Sequence, residues 1–228
     1  MFENINPIET FTGFESICIA SIQSALSQTE IKLSSADTLF ILSTTKGNIE
    51  LIEGKEVSEE LRTRVSLSNT AKLIAEYFGS VNKPLVVSNA CISGVLSIII
   101  GKRMLQAGKY KHAVITGADV LSRFVISGFQ SLNAMSKNTC KPFDTSRDGI
   151  NLGECAATIV LSTEKSLSKN ILVSGGASSN DANHISGPSR TGLELAFAVK
   201  EAMEESEVAA TDLSFISAHG TATLFNDE

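Results

Sequence analysis

Long apolar runs are missing from this sequence of 228 residues. The longest strongly apolar stretch, Val95 to Ile100 within GVLSIIIG, falls far short of the roughly 18–20 residues that span a bilayer, so no membrane span is expected. The opening MFENINPIET has neither a basic n-region nor an apolar h-region, and no secretory signal is expected. Cysteine is scarce. Cys18, Cys91, Cys140 and Cys155 stand far apart with no CxxC spacing, which argues against a zinc site and a small disulfide scaffold and points to a reducing cytoplasm. Charge is also low, at 19% of residues, and 19 Lys+Arg against 25 Asp+Glu leave a net charge of -6. Nothing in that balance draws the chain globally to nucleic acid or acidic lipid. The GxGxxG, Walker A, HExxH and GxSxG patterns are absent, which disfavours nucleotide, zinc-hydrolase and serine-hydrolase chemistry.

What is present is a folding composition. With 43% hydrophobic residues and 16 Gly, the chain suits one large domain or two small ones with a real core. Six short apolar runs read as strands: 38–43 (TLFILS), 84–88 (PLVVS), 113–117 (AVITG), 157–162 (ATIVLS), 171–174 (ILVS) and 213–217 (LSFIS). They do not alternate apolar with polar, as expected of strands covered on both faces in a mainly parallel α/β sheet. Between them Phe14, Cys18, Ile22 and Ala25 share one helical face, and Leu67, Ala71, Ile74 and Phe78 another, stopping at Gly79. After Cys91 the apolar residues, among them Ile92, Val95, Leu96 and Ile98–100, surround the helix, predicting one buried between two sheets. The segment 192–202 repeats this more weakly before an acidic end at Glu201, Glu204, Glu205 and Glu207. The order strand, small-residue turn and helix thus occurs twice, with a boundary near 163–170.

Two residues stand where such sheets place chemistry. Cys91, in VVSNACISGV, ends a strand and starts a helix, where the dipole and backbone N–H groups favour a thiolate and an oxyanion. A buried structural cysteine is the competing reading, and it is the reading for Cys18, Cys140 and Cys155. His219 follows the strand-like LSFIS in SAHGTATLFNDE, at a carboxyl strand end. Paired with a cysteine it is a candidate acid/base or oxyanion donor; alone it reads as structural. Thr221 and Thr223 offer hydroxyls to a polar arm. The segment KPFDTSRDGINLGEC packs Asp144, Arg147 and Asp148 into one loop, read as bracing by charge pairs rather than catalysis.

Taken together, NACISG, GFQSLNAMS, KPFD…RDG…GE, SNDANHISGPS and HGTATLFND resemble the β-ketoacyl synthases, the Claisen-condensing enzymes of fatty acid and polyketide synthesis. The motifs stand in family order from about Pro84 onward. The resemblance implies a thiolase-like, layered αβαβα α/β fold of two duplicated halves, residues 1–165 carrying the nucleophilic cysteine and 166–228 opening the second half. It implies that Cys91 takes an acyl chain from a carrier-protein phosphopantetheine, and that His219 is the first of two histidines acting on the malonyl extender. Thr221 and Thr223 then bind the pantetheine arm, and Phe129 lines the acyl pocket. Asp227, Asp181 and His184 support the site.

The same resemblance implies acyl carrier protein as partner, with Arg62, Arg64, Lys102, Arg103 and Lys137 as docking candidates, and a homodimer or ketosynthase heterodimer pairing through 84–88. It implies no cofactor or metal. Set against the family pattern, the first glycine-rich strand is expected to be missing, and the sequence stops within the HGT…ND…E motif. The lysine, second histidine and gating loop are not in it, so condensation by these residues alone is not expected. Two other readings stay open: a non-elongating, chain-length-factor-like partner, against which an intact Cys91 argues, and a Cys/His acyl hydrolase.

Overall fold

The computed structural model describes residues 11–168, 171–181, 189, 191–224, 226 and 227. The expectation about a missing first strand falls on residues 1–10 and lies outside them. The chain forms two compact units. The first is Met1–Phe124 with Gly153–Ile171, and the second is Val125–Leu152 with Leu172–Glu228.

The first unit is built on a four-stranded sheet in the order β2-β1-β3-β4: β1 (Thr38–Ser43), β2 (Leu85–Val87), β3 (His112–Asp119) and β4 (Cys155–Ser162). The first three run parallel and β4 returns antiparallel to β3. Every residue of β1 is buried, and its side chains divide between two cores. Phe40 and Leu42 join Phe14, Ile22 and Ile74 on one face, whereas Leu39 and Ile41 join Leu105 and Ile115 on the other. Two-sided burial is why the strand does not alternate. At roughly 1.5–3 kcal/mol for each large side chain removed from water, these four residues are a principal source of the unit's stability.

Two helices cover the first face, and a third, between them in sequence, packs on the second of them with no buried residue of its own. The helices α1 (Gly13–Leu26), α2 (Glu59–Val65) and α3 (Leu67–Tyr77) each begin on a hydroxyl cap: Thr12, Ser58 and Ser66 accept from the amides of Glu15, Leu61 and Asn69. Thr12 and Glu15 complete a capping box. α3 closes where the sequence places its stop, Gly79 at φ 66°, with Gly79 N–H donating to the Glu76 carbonyl (3.0 Å) and Ser80 N–H to that of Ala75 (2.9 Å).

On the other face lies α4 (Ser93–Gln106). Its approach depends on Gly101, where an added Cβ would stand 2.8 Å from Ile115 Cδ1 and 3.4 Å from Leu161 Cδ1. The expected all-round burial is not observed among the described residues. Ile99 and Leu105 are buried, but Val95 is 60% exposed, because a sheet covers one side of the helix only.

The second unit holds most of α5 (Arg123–Ser131), the loop 132–152, and α6 (Leu193–Ser206). Two expected strands do not form. Residues 171–174 and 213–217 pair with no strand among the described residues, and Ile171 and Phe215 are 81% and 83% exposed. An apolar run becomes a strand only where a neighbour supplies its ladder bonds, and none does here. For the same reason α6 forms as expected but leaves Leu195 and Phe197 uncovered. Its acidic end is solvated, as read from the sequence.

Candidate active site

Cys91 stands on a tight turn between β2 and α4. Ala90, a non-glycine residue, takes the left-handed conformation at φ 44°, a local strain that the surrounding bonds hold in place. The Ser93 hydroxyl is the staple: it accepts from Asn89 N–H at 2.8 Å and donates to the Ala90 carbonyl at 2.7 Å. Ile92 and Ser93 N–H groups bond back to the Asn89 and Ala90 carbonyls at 3.2 and 3.3 Å. The turn leaves Cys91 exposed, two residues before the helix begins, so the buried structural reading does not hold for it. This is the strand-turn-helix geometry of a nucleophile elbow.

The other cysteines separate by setting. Cys18 is buried in the α1 core, where burial, aided by the charges of Glu15 and Asp119, pushes its thiol far above the ordinary range. Cys140 is half-buried, and Cys155 is exposed, correcting the expectation of a core position; it opens a strand that among the described residues has a neighbour on one side only.

His219 belongs to the second unit and is exposed. Directly after it, Gly220 adopts φ 60° and Ala222, fully buried, φ 56°. The Thr221 and Thr223 hydroxyls meet at 2.8 Å. Asp227 organises this loop. Its carboxylate accepts from the N–H groups of Thr221, Ala222 and Phe143, each at 2.9 Å. Burial works to raise its pKa, but these bonds and that from Asn226 hold it below the usual carboxylate range.

The loop from Lys141 to Gly149 is the second wall. Arg147 donates from Nε to the Thr223 carbonyl (3.3 Å), from Nη2 to that of Leu224 (3.0 Å) and from Nη1 to that of Asp144 (3.1 Å). Gly149 N–H donates to the Ala222 carbonyl at 2.9 Å. Asp144 accepts from the Ser146 hydroxyl and amide, both at 2.7 Å, and these bonds hold its carboxyl below the usual range. The loop braces, as expected, but through backbone carbonyls of a distant segment as well as through local charge. No sequence signal names those carbonyls.

The structure therefore brings together Thr221, Thr223 and Asp227. Phe129 is half-buried on α5, whose start is held by two carboxylates that the sequence reading missed: Glu53 accepts from Phe124 N–H (3.0 Å) and Glu154 from Leu121 N–H (2.8 Å). Asp181 accepts from Ser189 N–H at 2.6 Å, and His184 lies outside the described residues. Among the expected docking cations, Arg62, Arg103 and Lys137 are exposed. Two are corrected. Arg64 is engaged with buried Glu15, and Lys102 is buried against the sheet, so neither offers a free surface charge. Among the described residues no group of three or more His, Cys, Asp or Glu side chains is arranged to hold a metal, and no helix is long and apolar enough to cross a membrane.

Family models match nearly the whole chain: beta-ketoacyl synthase, N-terminal domain, over residues 14–166, and beta-ketoacyl synthase, C-terminal domain, over 171–228. The chain is 28% identical over 193 residues to the tetracenomycin polyketide synthase ketoacyl synthase alpha subunit of Streptomyces glaucescens, covering 79% of this chain and 45% of that protein. It is 30% identical over 149 residues to 3-oxoacyl-[acyl-carrier-protein] synthase 2 of Staphylococcus aureus, covering 60% and 37%. The chain thus spans about half the length, or less, of the curated relatives it matches. Among solved structures, the ishigamide ketosynthase/chain length factor superposes with TM-score 0.83 at 24% identity, over 97% of this chain and 59% of that one. A ketosynthase in complex with its chain length factor from Xenorhabdus doucetiae gives TM-score 0.72 at 27% identity, over 91% and 53%. These likenesses place the chain in the thiolase-like α/β fold.

Proposed function

The chain belongs to the β-ketoacyl synthase family, and on that premise we propose that it carries the acyl-accepting part of a 3-oxoacyl-acyl-carrier-protein synthase. The observation that carries this reading is the exposed Cys91 on its strained turn at the start of α4.

In the proposed reaction the Cys91 sulfur attacks the carbonyl of an acyl thioester. The helix terminus lends its positive dipole to the oxyanion, and collapse of the tetrahedral species expels the carrier thiol. A malonyl thioester then loses carbon dioxide. The resulting enolate carbon attacks the acyl-Cys91 carbonyl, forming the carbon–carbon bond and releasing the cysteine thiolate. His219 acts on the malonyl thioester in the second step. Thr221 and Thr223 hold the pantetheine arm through the hydroxyl pair that Asp227 orders, and Phe129 lines the acyl pocket, with Asp181 and His184 supporting. The substrates arrive on the phosphopantetheine of acyl carrier protein, with no separate cofactor. The compartment of this reading is the cytoplasm, and the pathway is fatty acid, polyketide or polyene synthesis.

Residues 1–165 and 166–228 correspond in this reading to the first thiolase-like half and the start of the second. Pairing into a homodimer or ketosynthase heterodimer is supported by β2, which among the described residues has a neighbour on one side only and is there an open sheet edge. A chain-length-factor-like partner is disfavoured by the presented thiol, since that role needs no nucleophile.

The test is acyl transfer. Incubation with an acyl-pantetheine thioester is expected to add the acyl mass to the Cys91 peptide, and Cys91→Ala to abolish it. Full acylation of wild type at another residue, or none at all, overturns the assignment.

A further inference from the structure

We propose that Arg147 is a positioning residue for the thioester arm of the substrate, acting through the backbone of the loop that carries Thr221 and Thr223. This rests on the ketosynthase reading above and adds to it a residue that does not touch substrate.

The loop 219–227 has no helix or strand among its described residues, and two of its residues sit at positive φ, one of them the non-glycine Ala222. Such a backbone is costly and persists only where its surroundings over-determine it. The donors that hold its carbonyls come from one short segment: Gly149 N–H for Ala222, Arg147 Nε for Thr223 and Arg147 Nη2 for Leu224. One guanidinium thus spans two successive carbonyls on the carboxyl side of the threonine pair, while Asp227 gathers the amides on the other side.

The guanidinium is itself fixed by its third bond, to the Asp144 carbonyl. Gly149 is held by close packing, because a Cβ there would stand 2.5 Å from the Ala134 carbonyl oxygen. With both walls set, the 2.8 Å contact between the Thr221 and Thr223 hydroxyls is a consequence of backbone direction. A planar fork with several donors in fixed relation does this; a lysine ammonium on a flexible stem reaches one carbonyl at a time. Arginine at this position is therefore expected to set the affinity for the arm, and to leave the chemistry at Cys91 alone.

Three measurements on Arg147→Lys and Arg147→Ala test this. The rate of Cys91 acylation by an acyl-pantetheine thioester is expected to fall about tenfold to a hundredfold, the scale of a roughly 1 Å misplacement of a substrate-binding group. Alkylation of Cys91 by iodoacetamide, which uses no arm, is expected to be unchanged. Amide exchange at Thr221 and Ala222 is expected to accelerate in both variants, with millimolar guanidinium partly restoring protection and transfer in Arg147→Ala.

Wild-type exchange and wild-type acylation in the lysine variant overturn the proposal. So does a parallel loss of acylation and alkylation, which marks a structural role alone. If wild type takes no acyl group from the thioester, the ketosynthase reading is what fails, and the exchange data still decide whether Arg147 holds the loop.

Discussion

Arg64 grips Glu15 at both carboxylate oxygens, Nη1 to Oε1 at 2.6 Å and Nη2 to Oε2 at 2.7 Å, although Glu15 is fully buried at the first turn of α1. Asn48 adds a third donor to Oε1 at 2.8 Å and reaches Thr70 on α3 at 3.1 Å. Four separate segments, α1, α2, α3 and the turn at Asn48, are thereby tied into one network, with α3 joined through Asn48 and the others at the carboxylate itself.

Removing the cation leaves a buried charge with too few partners, so Arg64→Ala is expected to cost about 3 kcal/mol of stability, read as a lowered urea midpoint. Burial works to raise the Glu15 pKa, but the bonds from Arg64, Thr12 and Asn48 outweigh it, and the group is held below the ordinary carboxylate range. A depressed folded-state pKa contributes stability that is complete above the unfolded value and is lost as pH falls through the folded one. Stability between neutral pH and pH 3 is therefore expected to drop more steeply in wild type than in a Glu15→Gln, Arg64→Met double variant. Parallel pH curves would remove the network from the account of acid sensitivity.

Limiting iodoacetamide in folded protein is expected to label Cys91 and Cys155, which are exposed, ahead of Cys140, and to spare Cys18. An acyl-pantetheine thioester is expected to modify Cys91 alone, because only that thiol stands at a helix start. Peptide mass spectrometry reads both patterns, and acylation of Cys155 at the rate of Cys91 would separate nucleophilicity from the elbow.

Gly101→Ala places a methyl 2.8 Å from Ile115 Cδ1. Overpacking of this kind is expected to cost about 1–3 kcal/mol and to slow Cys91 acylation, because α4 carries the turn at its other end. Thermal unfolding and the acylation rate check it together; a stable variant with wild-type acylation would show that the helix yields freely.

If the proposed function holds, carrier-protein docking is expected to depend on Arg62, Arg103 and Lys137, which are exposed, and not on Lys102, which is buried. Reversal of the three charges to Glu is expected to weaken binding of the acidic carrier, most strongly at low salt. Equal binding by the triple variant at all ionic strengths takes these residues out of the interface.

The strands of the first unit and its helices α1, α3 and α4 were legible because their residues are buried in regular patterns. The run TLFILS predicts β1 with both ends correct, and the faces of α1 and α3 follow from spacings that the cores reproduce. Residues 213–217 carry a similarly apolar run yet form no strand, since composition reports an affinity for burial and says nothing of whether a partner strand is at hand. Helix α2 was invisible for the opposite reason. Its EELRTRV has no buried residue, and its importance comes through one arginine side chain reaching Glu15. In the candidate site, Cys91 was legible as a residue type at an element end, whereas His219 and the threonines were read at the end of a strand, 213–217, that does not form. Arg147 was read as glue of the charge-pair kind, because a bond to a carbonyl seventy-odd residues away leaves no mark on the sequence.

The segment with Arg147 departs from the first unit after β3 and rejoins it at β4, and those strands are zipped together down to Asp119 opposite Cys155. The ladder works as the clasp of a loop. While it is closed, the chain entropy of bringing the loop's ends together has already been met, and the brace on Thr221 and Thr223 need only order what lies between. Fraying of the β3–β4 end lengthens the free span and taxes the brace at once. Opening of an edge strand in one unit is thus coupled, by connectivity alone, to disorder among the Thr221 and Thr223 hydroxyls of the other.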